Sequence, residues 1–173
     1  NHGMNVADDI LYSGTVAGAM EAALLGVPAI ALSQRNGRED PADYAASRLY
    51  GDKVIRQILS MGIAPRSIMN VNFPKTDPAA IKGIKPAHLD RHKLGDVVIE
   101  SSSANHYRLG PIHSDKKTGA GSDRAVLDDG WISLTPLSMD VTAHHILANL
   151  SDNIFDHGEQ ADFVKDPLLR ARG

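Results

Sequence analysis

Cysteine is absent from this 173-residue chain. Disulfides, zinc thiolates and thiol nucleophiles are therefore excluded, which leaves hydroxyls, carboxylates, imidazoles and a hard metal ion as reagents. A basic excess is missing too. Charged residues make up 23% of the chain and the formal net charge is -3, so no surface for a nucleic-acid polymer is advertised and a small anion needs a local site. No apolar run approaches the length of a membrane span. The first residue is Asn1 rather than an initiator methionine, the opening shows no signal-peptide pattern, and the chain starts inside a loop that reads as functional. It is expected to be a fragment of a longer protein.

What is present is an alternation of helix and strand patterns over a length typical of one domain. The opening stretch, Asn1 to Ser33, runs from a polar loop to a capped helix to a buried strand. Ser13 is placed to cap a helix whose apolar residues Val16, Ala19, Met20, Ala23 and Leu24 share one face, Gly26 is placed to end it, and Val27 to Leu32 reads as a short buried strand. Asp40-Pro41 is a helix entrance. The helix behind it places Ala46, Tyr50, Val54, Ile58 and Met61 on one face and stops at Gly62. Ser67 to Phe73 alternates as a strand that Pro74 closes. Loop, helix, strand, helix, strand is the order expected of a parallel sheet flanked by helices.

From Lys75 the pattern changes. Ile81 to Leu89, Val97 to Ser101 and His106 to Leu109 read as short strands of antiparallel hairpin type, and Gly110 to Asp123 reads as a loop. Ser122 to Asp129 reads as a short helix, Trp131 to Thr135 as a strand stopped by Pro136, and Asp140 to Leu150 as helical toward its end. The expected organisation is residues 1–74 as part of an α/β core, 75–150 as a hairpin-rich region with the last core strand and assembly elements, and 151–173 as a polar tail that is partly ordered or packs on another subunit.

Candidate chemistry gathers at the front. An Asn side-chain carbonyl is a ligand for a hard cation and its amide a donor to phosphate, which makes Asn1 and Asn5 candidates; both residues could equally do no more than shape a glycine-containing turn. Ser13, Gly14 and Thr15 open the first helix, where unpaired N–H groups and two hydroxyls cradle an anion as readily as they cap. Asp8 and Asp9 are adjacent carboxylates that bind metal or tie down the loop. His2 is a possible phosphate contact or proton donor, or a solvated residue near the chain start. Asp140 and His144 stand four apart, a spacing that orients an imidazole for acid–base work or forms an ordinary ion pair.

Together these stretches resemble the SurE family, the stationary-phase survival proteins that act as metal-dependent 5′-nucleotidases. The residues that carry the likeness are Asn1-His2-Gly3-Met4-Asn5, Asp9, Ser13-Gly14-Thr15-Val16, Pro28 to Ser33, Asn70 to Pro74, Gly130 to Leu137 and Asp140 to His144. The resemblance spans residues 1–145 and is weakest over 81–123. It implies a Rossmann-like three-layer α/β fold with an appended antiparallel hairpin and a C-terminal segment swapped or packed in a homodimer or homotetramer. It further implies a cytoplasmic phosphatase of nucleoside 5′- or 3′-monophosphates that uses Mg²⁺ or Mn²⁺. An exopolyphosphatase-like activity on the same scaffold, or a noncatalytic anion-binding or assembly module, is the alternative.

By that resemblance Asn1 is a catalytic residue and metal ligand. Ser13 and Thr15 are catalytic, Asn5, Ser13, Gly14 and Thr15 bind phosphate, and Asp140 and His144 are accessory or interface residues. The family's Asn-Asp-Asp-Gly motif, whose paired aspartates complete the metal site, has no counterpart in this chain, and Asp8 and Asp9 do not take its place. One neutral ligand does not hold a hard cation, so residues 1–173 alone are expected to show little or no activity.

Overall fold

A computed structural model describes residues 3–36, 43–91, 99–103, 106–109 and 118–153. The chain divides into two compact units, residues 1–139 and 140–173.

The first unit is built on a four-stranded sheet. Its strands are β1 (Ile30–Gln34), β2 (Ser67–Phe73), β3 (Ile84–Pro86) and β6 (Ile132–Ser138), in the order β1-β2-β6-β3. Between β1 and β2 runs the helix α2 (Ala45–Met61), and the two strands pair in parallel with Ile30 opposite Met69 and Gln34 opposite Phe73. Two further strands, β4 (Ile99–Ser103) and β5 (His106–Leu109), form a separate antiparallel hairpin, in agreement with the change of pattern after Lys75.

Helices cover both faces. On one, α1 (Gly14–Leu24) sets Val16 and Ala23 against Ala31, Ile68 and Leu137. On the other, Ala46, Val54 and Ile58 of α2 pack with Val71, Phe73 and Ile132. Alternation along β2 sorts its residues: Met69, Val71 and Phe73 serve the α2 face, while Ile68, Asn70 and Asn72 face the other way, as a period of two requires.

Three expectations are corrected. The sheet is mixed, because β6 runs antiparallel to β2 and β3 runs parallel to β6. Pro136 lies inside β6 opposite Met69 instead of ending the strand. It is tolerated because β3 reaches only as far as Leu134, so the missing N–H falls where β6 has one strand neighbour. Leu24 and Met61 are exposed by more than half. Leu24 sits about 80° around the helix from Val16, off the buried stripe, and Met61 is the last residue of a 17-residue helix that outruns a seven-residue strand.

The helix expected to open at Asp40-Pro41 begins at Ala45, with Tyr44 as its cap residue; Asp40 and Pro41, most of the loop from Gly110 and the tail beyond Asn153 lie outside the described residues. In the second unit α4 (His144–Asn153) takes up the later part of Asp140 to Leu150, as expected from the sequence, and runs on to Asn153.

A short helix, α3 (Asp123–Asp128), leads into β6 and is capped by Ser122, whose hydroxyl accepts from the Ala125 N–H at 3.3 Å. His88 fastens its front end. The imidazole places Nδ1 2.9 Å from the Leu89 carbonyl and Nε2 3.2 Å from the Ala120 carbonyl. Only the doubly protonated ring donates to both, and these two carbonyls raise its pKa above the usual 6.5.

The packing makes two features testable. Buried polar atoms usually find partners, yet among the described residues the Thr135 Oγ1, Ser133 Oγ and Asn70 Oδ1 atoms have none. Thr135→Val keeps the shape and removes one orphan, so urea unfolding is expected to show a gain of about 1 kcal/mol; an equal loss would show the hydroxyl to be paired. The second feature is the His88 clamp. Its contribution to stability is complete below pH 6.5 and disappears as pH rises through the higher folded value. Unfolding free energies measured on either side of that window should fall in the parent relative to His88→Gln, whereas parallel curves would refute the clamp.

Candidate functional site

The opening turn docks at the carboxyl end of β1. Gly3, at φ 94°, donates its N–H to the Gln34 carbonyl at 3.0 Å, a conformation that glycine takes without penalty. The chain then crosses onto the face of β2 that carries its asparagines. Asn5 is held through its main chain: its N–H donates to Asn72 Oδ1 at 2.8 Å, and its carbonyl accepts from the side-chain amides of Asn70 and Asn72, both at 2.9 Å. Its own side-chain amide donates to Ser33 Oγ at 2.5 Å. Asn5, Ser33, Asn70 and Asn72 are all buried.

Two residues on, Ala7 takes a positive φ of 52° and starts a 3₁₀ helix, Ala7–Tyr12. The Ala7 N–H donates to Asp123 Oδ2 at 2.8 Å, and Asp123 Oδ1 accepts from the main chain of Asp90 at 3.1 Å and of Arg124 at 2.8 Å. Burial pushes the Asp123 carboxyl pKa up against the opposing pull of these three N–H donors.

At the far end of the 3₁₀ helix Ser13 caps α1, its Oγ accepting from the Val16 N–H at 3.1 Å. The Gly14 and Thr15 N–H groups are first-turn donors that no intrahelical carbonyl reaches. Gly14 is exposed and Thr15 half-buried. Since α1 precedes β1 and packs on it, this turn stands at the carboxyl ends of the parallel strands β1 and β2, the side on which open α/β sheets bind ligands. A cavity of about 340 Å³ opens where β1 and β2 finish, lined by Arg35, Lys75 and Thr76 among others.

The structure thus brings Ser13, Gly14 and Thr15 together and places Asn5 at the other end of a six-residue 3₁₀ helix, about 12 Å long at 2.0 Å per residue. Asn1 and His2 lie outside the described residues. Asp8 and Asp9 sit within the 3₁₀ helix. Burial raises the Asp9 pKa, with Arg124 opposing and Asp8 reinforcing the shift. In the second unit the expected pair forms, His144 Nε2 lying 2.6 Å from Asp140 Oδ2, with both side chains exposed.

A divalent cation does not fit the described residues by themselves. No group of three His, Cys, Asp or Glu side chains among them is arranged to hold a metal, and the donors around Asn5 are neutral amides and a hydroxyl, whereas hard cations are held largely by carboxylates.

Reading along the sequence missed Ser33, Asn70, Asn72 and Asp123 as participants. One local signal existed: two asparagines, poor strand formers, at same-face positions of an otherwise apolar strand.

The family model described as Survival protein SurE matches residues 1–96. The 5′-nucleotidase SurE of Rhizorhabdus wittichii is 37% identical over 155 residues, covering 86% of this chain and 61% of that protein. Its counterpart in Methylocella silvestris is 40% identical over 147 residues, covering 82% of this chain and 58% of the relative. The crystal structure of SurE protein from Aquifex aeolicus matches with a TM-score of 0.74 at 29% identity, covering 87% of this chain and 61% of that one. The chain spans less than two thirds of the length of the curated relatives it matches. With more than half of its residues inside the family match and an α/β core of the same fold, the chain belongs to the SurE family.

Proposed function

We propose that the protein carrying this chain hydrolyses nucleoside monophosphates, and that the turn Ser13-Gly14-Thr15 receives the phosphoryl group. The observation that carries this reading is the capped start of α1 at the carboxyl ends of β1 and β2 in a chain of the SurE family. Relatives that match over most of the chain are 5′-nucleotidases by name; 5′- or 3′-monophosphates are the proposed substrates here.

The Gly14 and Thr15 N–H groups and the Ser13 and Thr15 hydroxyls donate to phosphoryl oxygens, and the aligned peptide dipoles of the 11-residue α1 favour the negative charge. Donors fixed in place before the reaction stabilise charge that builds during transfer without reorganising.

Asn1 is proposed as one ligand of a Mg²⁺ or Mn²⁺ ion, with its other ligands supplied by residues beyond those described. Asn5 is proposed to serve the phosphate site by fixing the turn that joins Asn1 to α1. Asp140 and His144 are proposed as accessory or interface residues of a cytoplasmic homodimer or homotetramer, since the second unit also exposes Val141, Ile146, Leu147 and Leu150. No helix among the described residues is long and apolar enough to cross a membrane.

Gly14→Ala separates binding from folding. A Cβ at Gly14 meets nothing within 4 Å, so the variant is expected to be as stable as the parent or up to about 1 kcal/mol more stable. The added methyl intrudes on the phosphoryl cradle, and steady-state kinetics on a nucleoside monophosphate should show KM raised roughly tenfold, the effect of about 1.4 kcal/mol of lost binding. An unchanged KM would remove Gly14 from the site. A second expectation concerns the cation: a chelator should abolish turnover and added Mg²⁺ or Mn²⁺ restore it, while chelator-resistant hydrolysis would contradict the metal assignment.

A further inference from the structure

We propose that Asp123 is a positioning residue of this site, its buried carboxylate holding the Ala7 amide and with it the turn Gly3 to Ala7 in the conformation that hydrolysis uses. The proposal rests on the phosphatase reading for its kinetic consequence and on the structure alone for the hold itself.

Asp123 is fully buried, and its carboxylate accepts three hydrogen bonds, each from a main-chain N–H. Two of those donors, Asp90 and Arg124, belong to the surroundings of α3, whose start is itself fixed by the Asp123 N–H donating to the His88 carbonyl at 2.8 Å. The third donor is Ala7, 116 residues away, on the functional turn. One carboxylate therefore ties the front of the site to the helix that precedes β6.

Ala7 makes the tie consequential. An alanine at φ 52° is held in the left-handed region, which L-residues other than asparagine and aspartate seldom occupy. Such a conformation persists where its surroundings impose it, and the Asp123 bond is on the N–H of the strained residue itself. Release of that bond lets Ala7 relax toward negative φ, and the change swings the chain on both sides. Asn5 lies two residues before the pivot and the 3₁₀ helix that leads to Ser13 starts at it.

Asp123→Asn tests this with little change of volume. The amide oxygen replaces one carboxylate oxygen and keeps the Asp90 and Arg124 donors, while the amide nitrogen turns a donor toward the Ala7 N–H and breaks that bond alone. In the full protein that carries this chain, hydrogen exchange at the Ala7 amide should accelerate while β2 amides stay protected. The kcat for a nucleoside monophosphate should fall about 10- to 100-fold, the scale of an ångström-level misplacement, with KM little changed.

Glycine accepts the left-handed conformation without support, so Ala7→Gly in the Asp123→Asn background should recover most of the lost kcat. A double variant no better than Asp123→Asn, an unchanged exchange rate at Ala7, or loss of protection throughout β2 in Asp123→Asn would each overturn the proposal. If the parent protein hydrolyses no nucleoside monophosphate, the phosphatase reading fails, and exchange at Ala7 still decides whether Asp123 holds the turn.

Discussion

Four buried hydrogen bonds around Asn5 fasten the front of the site to the sheet, and the placement of everything else at that edge depends on them. A loop normally lies over the surface because a buried one strands its polar main chain. Here the side chains of Asn70 and Asn72 stand in for a neighbouring strand. They supply an acceptor for the Asn5 N–H and two donors for its carbonyl, so an irregular segment packs on the face of a sheet as if paired along its edge. Each such bond adds only about 0.5–1.5 kcal/mol net, but a partner removed from a buried pair leaves about 1–3 kcal/mol of uncompensated desolvation. The network therefore does more to exclude other placements of the turn than to stabilise the fold.

The same asparagines lie beside polar atoms that no group among the described residues satisfies. Asn70 faces Thr135 across the antiparallel pair and Asn72 faces Ser133, so one face of β2 and β6 carries a continuous polar layer under the functional turn. The opposite face carries Val71, Phe73 and Ile132 packed on α2. An apolar core on one side and a hydrogen-bonded layer on the other give the sheet two different duties. The first holds the fold together, and the second specifies where the loop sits.

Much of this was legible in the sequence because the deciding interactions are local. The bounds of β2 at Ser67 and Phe73 follow from strict alternation, the start of α1 from Ser13, its end from Gly26 at φ 80°, and the end of α2 from Gly62 at φ 78°. Each depends on residues within one turn or one strand. Pro136 misled for a non-local reason: whether a proline ends a strand depends on how far the next strand extends, and the length of β3 is not written near Pro136. Antiparallel pairing of β6 with β2 was hidden in the same way, since a buried strand shows the same apolar pattern in either direction. The bond from Ala7 to Asp123 spans 116 residues, beyond the reach of any spacing rule, and the family likeness named the cradle residues without naming what holds them.

The energetics of Ala7 show why the turn needs an anchor at each end. A left-handed alanine costs about 1–2 kcal/mol, and a hydrogen bond to a charged group contributes about 1.5–3 kcal/mol, so the Asp123 carboxylate offsets the strain with little to spare. The clamp on Asn5 two residues away adds to this hold by limiting how far the chain can swing if Ala7 relaxes. With both ends fixed, the 3₁₀ helix from Ala7 to Tyr12 acts as a strut between the asparagine network and the Ser13 cap. The orientation of the Ser13 turn, the proposed phosphoryl cradle, is thereby set by contacts on β2 and α3 rather than by the turn's own residues.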